Sequence, residues 1–349
     1  MQLGNMLRFK MGWAEPSGRH HEVVLSSRVR LARNLAAHPF PPRAEAKEAA
    51  SVLAEILEAA RGTKALAKAA VIRLDDVDAT DRLFLVERHL ISPLLAKTPK
   101  GRAVLVGERD ALSVMVNEED HLRLQGLSSG LCLEEAFAKA GALDDELSRS
   151  LDFAFRSDWG YLAACPTNAG TGLRASCLVH LPGLGLTGEI NRVLEGLSRL
   201  GMVVRGLYGE GTKVMGDLYQ ISNAAALGPS EGALIGSITK VVGTLVAREG
   251  EARRSLGAGG HRSRLEDLVY RSLGLLQNAR VLSYEETMQH LSYVRLALSL
   301  GWRMPAGLDT VNELTVLTRP GHVQMLAGKE LEAGDRDFLR ASLLRKKFA

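Results

Sequence analysis

The sequence predicts an α+β fold, an antiparallel sheet flanked by helices, followed by an all-helical C-terminal domain. Three observations point there. The strand-like runs Ala103-Val-Leu-Val-Gly and Ala111-Leu-Ser-Val-Met-Val-Asn are separated only by a polar turn, which reads as an antiparallel hairpin. Helical periodicity alternates with such runs: Leu53, Ile56, Leu57 and Ala60 share one face of residues 44–60, stopped by Gly62, and Ile190, Val193, Leu194, Leu197 and Leu200 share one face of residues 187–200. After a Gly- and Arg-rich interruption at residues 249–266, helical signals resume. Ser283-Tyr-Glu-Glu286 is a capping box, with Met288, Leu291, Val294 and Leu298 recurring behind it. The expected division is a poorly ordered leader at 1–20, a sheet-bearing domain at 21–250 and a helical domain at 251–349.

Composition narrows the function classes. With 349 residues, 46% hydrophobic and 24% charged, the chain is long enough for two domains with real cores. Cys132, Cys165 and Cys177 have no paired or metal-like spacing, which favours a reducing compartment without structural disulfides and implies no zinc site. Residues 1–18 lack an apolar core with a cleavage site, and the apolar run 233–247 carries Lys240 and two glycines. A cytoplasmic protein without a membrane role is expected. Forty-four basic residues against 40 acidic ones leave +4, too little for a dedicated nucleic-acid binder. Local arginine clusters matter more.

In chain order, a short apolar strand from Val23 runs into Ser26-Ser-Arg-Val-Arg30, with Arg28 and Arg30 on one face of an extended chain. Two guanidinium forks suit a polyphosphate, although a solvated basic edge has the same pattern. A helical segment at 80–97 carries His89. Asn117-Glu-Glu-Asp-His-Leu-Arg123 ends the hairpin, and its His–Glu spacing fits no familiar metal signature. Cys165-Pro-Thr-Asn-Ala-Gly-Thr-Gly-Leu-Arg174-Ala-Ser176 lies between two strand-like runs, with Pro166, Asn168, Gly170 and Gly172 forcing a turn. Taken alone, it is equally a Gly-rich hairpin with a buried thiol. Thr187 is the expected N-cap of the helix ending at Gly201, and Met202-Val-Val-Arg205 enters the loop Gly206-Leu207-Tyr208-Gly209-Glu210. Pro229 opens a long helix to about Arg248. Asp335 caps a terminal helix holding Arg336-Asp337-Phe-Leu-Arg340-Ala341, with both arginines on one face.

These strings resemble the guanidino (phosphagen) kinase family at four separate motifs, in family order, over residues 23–248. What the resemblance implies is a guanidino-kinase-like antiparallel sheet using ATP and Mg²⁺. Nucleotide contacts would come from Ser26, Ser27, Arg28, Val29 and Arg30, from His89 near the base, and from Arg123. Arg174, Ala175 and Ser176, then Arg205 with Gly206, Leu207, Tyr208 and Gly209, would complete that set. Glu119 and Glu210 would clamp the acceptor guanidinium and Cys165 would orient it. The family's N-terminal domain of about a hundred residues, carrying its small-guanidine loop, is missing here, and about a hundred residues are added at the end. That arrangement resembles the bacterial protein-arginine kinases of the McsB type. Their Arg-Asp-x-x-Arg-Ala string, here Arg336, Asp337, Arg340 and Ala341, would bind phosphoarginine allosterically. The resemblance further implies protein substrates with accessible arginines, a zinc-binding activator protein, a Clp ATPase and protease, a homo-oligomer and a stress-response setting.

The chemistry follows from charge. Phosphoryl transfer is mostly positioning and electrostatics, which five arginines supply. The acceptor presents the opposite difficulty, since a guanidinium stays protonated with a pKa above about 12. Two carboxylates answer it by orienting the group and taking its proton; sequence does not say which glutamate is the base. A free-guanidine kinase and a catalytically dead nucleotide- or phosphoarginine-binding regulator are the alternatives.

Overall fold

The computed structural model describes residues 3–8, 10–206 and 214–349. Strand β1 (Val24–Arg33) leads to α1 (Ala46–Arg61), β2 (Ala70–Arg73) and two short helices, α2 (Ala79–Glu87) and α3 (Pro93–Lys97). A meander of β3 (Ala103–Val106), β4 (Leu112–Val116) and β5 (Leu122–Ser129) follows, then α4 (Leu133–Leu147) and a small hairpin of β6 (Phe155–Arg156) and β7 (Gly160–Tyr161). Next come β8 (Leu173–His180), α5 (Pro182–Leu186), α6 (Ile190–Arg199), β9 (Met202–Arg205) and β10 (Leu218–Asn223). Helix α7 (Glu231–Leu256) precedes α8 (Arg262–Asn278), α9 (Tyr284–Ser299), α10 (Leu308–Leu317), α11 (Pro320–Ala327) and α12 (Ala333–Phe348).

Eight strands form one antiparallel sheet in the order β2-β3-β4-β5-β1-β8-β10-β9, as the hairpin and alternation signals predict. The period of two gives the sheet two unlike faces. Val29 and Leu31 of β1, Leu122 and Leu124 of β5, and Leu173 and Ala175 of β8 point to one side, where α1, α4 and α7 cover them. Each such buried side chain contributes about 1.5–3 kcal/mol. Gly126 lets α4 lie against β5, because a Cβ there would stand 2.1 Å from the carbonyl oxygen of Ala136. The alternate residues, Arg28, Arg30, Arg123 and Arg174, therefore project from the opposite face.

That opposite face is closed at one end by α2 and α3 over Val104, Val106 and Met115, and elsewhere by the C-terminal helices. Met288 of α9 packs on Leu25, Leu178 and Leu218. A buried polar set fixes the same junction. Arg295 donates to the carbonyls of His21 (2.7 Å) and Glu22 (2.9 Å), and Ser292 Oγ lies 2.8 Å from His180 Nε2 and donates to Asp217 (2.6 Å). Burial, then Arg295 and Arg253, hold the His180 imidazole well below its usual range, so it is neutral there.

Several local expectations need correction. Residues 1–20 were expected to be poorly ordered, yet Trp13 is 2% exposed and packs with Met11, Ala14, Leu127 and Val316. His89 is not inside a helix: it sits at φ 63° in the break between α2 and α3. Thr187 ends α5 instead of capping α6, because its hydroxyl bonds back to the Gly183 carbonyl at 3.0 Å. Ser230, not Pro229, is placed at the start of α7 and caps it through the Ala233 N–H. That helix runs on to Leu256, since the buried pair Arg253–Glu249 (2.6 Å) stabilises the turns beyond Arg248. Glu332, not Asp335, is the N-cap position of α12. The capping box at Ser283 and Glu286 forms as expected.

Candidate active site

The basic face lines a cavity of ≈ 320 Å³. Arg28, Arg30, Arg123, Arg174 and Arg205 all reach it, from β1, β5, β8 and β9. Strand register explains the crowding: Arg30 lies directly opposite Arg174 on β8 and opposite Gln125 on β5. Burial, then Arg123 and Arg174, pull the Arg28 guanidinium down to about 9. Burial, then Arg28, Arg123 and Arg174, pull Arg30 well below its ordinary value, with Glu118 opposing. Arginine stays charged at neutral pH even so. The shifts register the crowding of positive charge on this face, which Glu118 opposes. Arg30 Nε is buried and has no hydrogen-bond partner among the described residues. Such a donor suits an anion.

His89 lines the same cavity, beside Val86, Ile91, Pro93 and Leu94, which make an apolar wall fit for a base. Its backbone carbonyl accepts from Gln125 Nε2 (2.7 Å), and the Trp13 ring meets the imidazole edge-on at 5.1 Å. Burial, then Arg319, Arg28 and Arg30, keep that imidazole neutral. The N-terminal segment thus buttresses the site it precedes.

The string Asn117–Arg123 divides its labour residue by residue. Asn117, at φ 59°, donates to the Ala49 (2.8 Å) and Gly101 (3.0 Å) carbonyls and turns the chain. Glu118 accepts from Arg123 and Ser92 at the cavity. Burial alone would raise its pKa, but Arg123, Ser92 and Arg30 together lower it, so it is a carboxylate. Asp120 accepts from Asn34 Nδ2 (2.7 Å) and from the Ala164 N–H (2.7 Å), tying the turn to the segment before Cys165. His121 Nδ1 accepts from the Leu35 N–H at 3.0 Å. Only Glu119 is left facing the cavity without an ion pair among the described residues; Asn168 Nδ2 lies 3.4 Å from its Oε2.

Asn168 belongs to the Cys165 turn, so the structure brings that turn beside Glu119. Cys165 is half-buried, with its Sγ 3.1 Å from Thr167 Oγ1. It is Cys177, on the helix-covered face, that is buried, its thiol pushed up to about 12 by burial. Gly170 holds φ 101°, and a Cβ would lie 2.7 Å from the Ala226 carbonyl oxygen, so the turn requires glycine. Leu207, Tyr208, Gly209 and Glu210 lie outside the described residues. Gly206 is buried beside Arg205.

Among the remaining expected nucleotide residues, Ser27, Val29 and Ala175 point the other way. Ser27 Oγ donates to the Gly130 carbonyl (2.7 Å), and Val29 and Ala175 are in the apolar core. They shape the strands and do not line the cavity; Ser26 and Ser176, both buried, are also absent from its wall. Sequence reading missed Glu118, Ser92, Gln125, Gln220 and Ser222, all of which line it. Alternation along β5 and β10 was the available signal for the last three. Arg174 Nη2 donates to Ser222 Oγ (3.2 Å), and Gln220 Nε2 to Ser176 Oγ (2.9 Å).

In α12 the two arginines are not an equivalent pair. Arg340 is buried, donating to the carbonyls of Thr318 (2.6 Å) and Leu282 (2.8 Å) and pairing with Asp337. Ala341 is in the helical core. Arg336 is half-buried and donates to the Leu331 carbonyl (2.6 Å). A receptor of two open guanidinium groups, as the spacing suggests, is not what the helix presents; Arg340 is committed to holding α12 in place.

The model of the ATP:guanido phosphotransferase C-terminal catalytic domain matches residues 51–252, and that of the protein-arginine kinase McsB C-terminal domain matches residues 262–349. A protein-arginine kinase of Halothermothrix orenii is 45% identical over 333 residues, 95% of each chain. One of Symbiobacterium thermophilum is 45% identical over 98% of each chain, and one of Bacillus subtilis 41% identical over 96% of this chain and 92% of its own. The chain belongs to the protein-arginine kinase family. Its guanidino-kinase fold is shared with a lombricine kinase crystal structure (TM-score 0.59, 25% identity, 67% of this chain and 68% of that one). A duplicated taurocyamine kinase of Schistosoma mansoni is similar to the same degree (TM-score 0.59, 26% identity), over 74% of this chain and 38% of its own. Membership of a family of protein-arginine kinases makes this chain an ATP-dependent phosphotransferase. No helix among the described residues is long and apolar enough to cross a membrane.

Proposed function

We propose that this kinase transfers the γ-phosphoryl group of Mg-ATP to arginine side chains of cytoplasmic proteins, with the basic cavity holding the nucleotide and Glu119 meeting the acceptor. The observation that carries the reading is the meeting of five arginines and Glu119, a glutamate without an ion pair among the described residues, in a single cavity. Arg28, Arg30, Arg123, Arg174 and Arg205 bind the phosphates and stabilise charge on the moving group. Arg30 Nε, buried and without a hydrogen-bond partner among the described residues, fits a phosphate oxygen. Mg²⁺ accompanying the nucleotide would supply further neutralisation of phosphate charge, with the five arginines holding the phosphates.

Glu119 forks the acceptor guanidinium in line with the terminal phosphate, and Glu210 is assigned the second carboxylate by the family motif. One of them takes the proton released as a guanidinium nitrogen forms its bond to phosphorus and the bond to the leaving oxygen breaks. Glu118 keeps Arg123 aimed. The apolar wall and His89 exclude water beside the base. Cys165 orients the acceptor and forms no covalent intermediate, so Cys165→Ser is expected to fold normally and lose about tenfold in kcat/KM rather than all activity, with tryptic mass spectrometry finding no phosphocysteine.

The deciding experiment incubates the enzyme with Mg-ATP and either an unfolded protein or free arginine, then maps acid-labile phosphate by mass spectrometry. Phosphoarginine on the protein supports the reading. Transfer to free arginine alone makes the chain a small-guanidine kinase, and no transfer makes it a binding protein.

The C-terminal string has a further place in this reading: Arg336, with Asp337, receives phosphoarginine, and Arg340 fixes the helix that displays it. Activity is expected to rise with added phosphoarginine, and Arg336→Ala to remove that rise while leaving basal turnover unchanged. Equal stimulation by inorganic phosphate would reduce the effect to charge. Linkage requires the ligand to favour one of two states. A homo-oligomer, a zinc-binding activator and delivery of marked proteins to a Clp protease belong to the same reading.

A further inference from the structure

Three large apolar side chains stay exposed beside the Cys165 turn. Phe155 (58% exposed), Trp159 (51%) and Leu227 (46%) line one open groove of ≈ 700 Å³. Contiguous exposed apolar surface rimmed by polar groups marks a place where something docks. The groove is also braced. Arg156 grips Asp158 with two bonds, at 3.0 and 2.7 Å, across the tip of the β6–β7 hairpin. Phe155 meets Tyr161 edge-on at 5.2 Å, and the Arg33 guanidinium lies 3.5 Å from the Tyr161 ring centre. Arg33 is itself locked to Asp144 at 2.7 Å. A preformed surface loses little entropy when a flexible ligand binds it.

Its position says what the ligand is. Tyr161 and Gly170 exchange backbone hydrogen bonds at 2.8 and 3.1 Å, and the Ala226 N–H donates to the Thr167 carbonyl at 3.2 Å. The groove thus borders the turn that begins at Cys165, and Asn168 of that turn, two residues from Gly170, reaches Glu119 at 3.4 Å. Glu231, the first residue of α7, stands in the groove wall and suits a cationic segment.

We propose that this groove docks an extended, unfolded stretch of the protein substrate, seating one apolar side chain two to four residues from the acceptor arginine. The inference rests on the protein-arginine kinase reading and deepens it. Two to four extended residues span roughly 7–14 Å. Folded proteins keep most of their large apolar side chains inside. A site that demands an accessible arginine and an accessible apolar neighbour therefore selects unfolded chains over folded ones by geometry alone, before any partner intervenes.

The test uses the full chain and two peptides with a single arginine, one carrying leucine three positions away and the other serine. Wild type is expected to favour the leucine peptide by about tenfold in kcat/KM. Trp159→Ser and Phe155→Ser, both at exposed sites, should each erase that preference by raising KM for the leucine peptide, with kcat and nucleotide affinity unchanged. Equal preference in wild type and variants would overturn the groove while leaving the kinase reading standing. So would light scattering showing that wild type self-associates through this surface, the variants being smaller but kinetically the same. Absence of any arginine phosphorylation by wild type would overturn the kinase reading and the groove with it.

Discussion

Glu119→Gln is expected to lower turnover by about 10²–10⁴-fold, the contribution of a positioned general base, while the nucleotide dissociation constant stays within about twofold. The substitution is chosen because the amide keeps the side chain's length and its carbonyl can still accept from Asn168 Nδ2, now 3.4 Å away. Geometry is preserved and charge is removed. Two consequences follow for a guanidinium acceptor: it loses a counter-charge that holds it in line, and a proton acceptor is gone at the moment nitrogen attacks. The arginines that hold phosphate are untouched. Glu210→Gln should behave alike, and the double variant should be little worse than either, because groups acting as one unit are not additive. Calorimetric nucleotide titration beside a phosphoarginine assay checks both halves; near wild-type turnover in Glu119→Gln would remove it from the chemistry.

The fold was legible in the sequence wherever one periodicity held alone. Arg28 and Arg30 read as one face of a strand, and the register puts them there. The partners of that face were harder to see. Gln125 and Ser222 are ordinary strand residues until four strands, β5, β1, β8 and β10, align them on one cavity. The resemblance singled out Glu119, but that Glu118 pairs with Arg123 at the same cavity shows only in the tertiary structure. His89 was misplaced inside a helix because its left-handed φ of 63° has no signature in the residue itself. The first twenty residues look loose in sequence, being polar and broken by Gly and Pro, but Trp13 finds its pocket against Leu127 and Val316, far along the chain. In α12 helical spacing placed Arg336 and Arg340 correctly on one side, yet could not show that one of them would bond to carbonyls of two other segments.

Arg30→Met is expected to lower nucleotide affinity by about 10²–10³-fold, as loss of one preorganised, desolvated donor set does, and at the same time to raise the melting temperature of the ligand-free protein. The second half is the more telling. Arg30 faces Arg174 across the β1–β8 ladder, and like charges directly opposite one another destabilise a sheet. Burial and three neighbouring arginines already pull its pKa well down, and its buried Nε has no partner among the described residues. A residue kept for stability would not be left in that state; one kept for a polyanion would, since the ligand supplies the missing charge. Methionine fills similar volume without charge, so the repulsion disappears and the packing remains. Each kcal/mol of relieved repulsion should raise the melting temperature by about 1–2 °C, while the further rise normally produced by saturating nucleotide shrinks, because that rise follows RT ln(1 + [L]/Kd). Scanning calorimetry with and without Mg-ATP reads both effects in one sample pair. A lower ligand-free melting temperature together with an unchanged nucleotide response would make Arg30 a structural residue and move the phosphate site elsewhere.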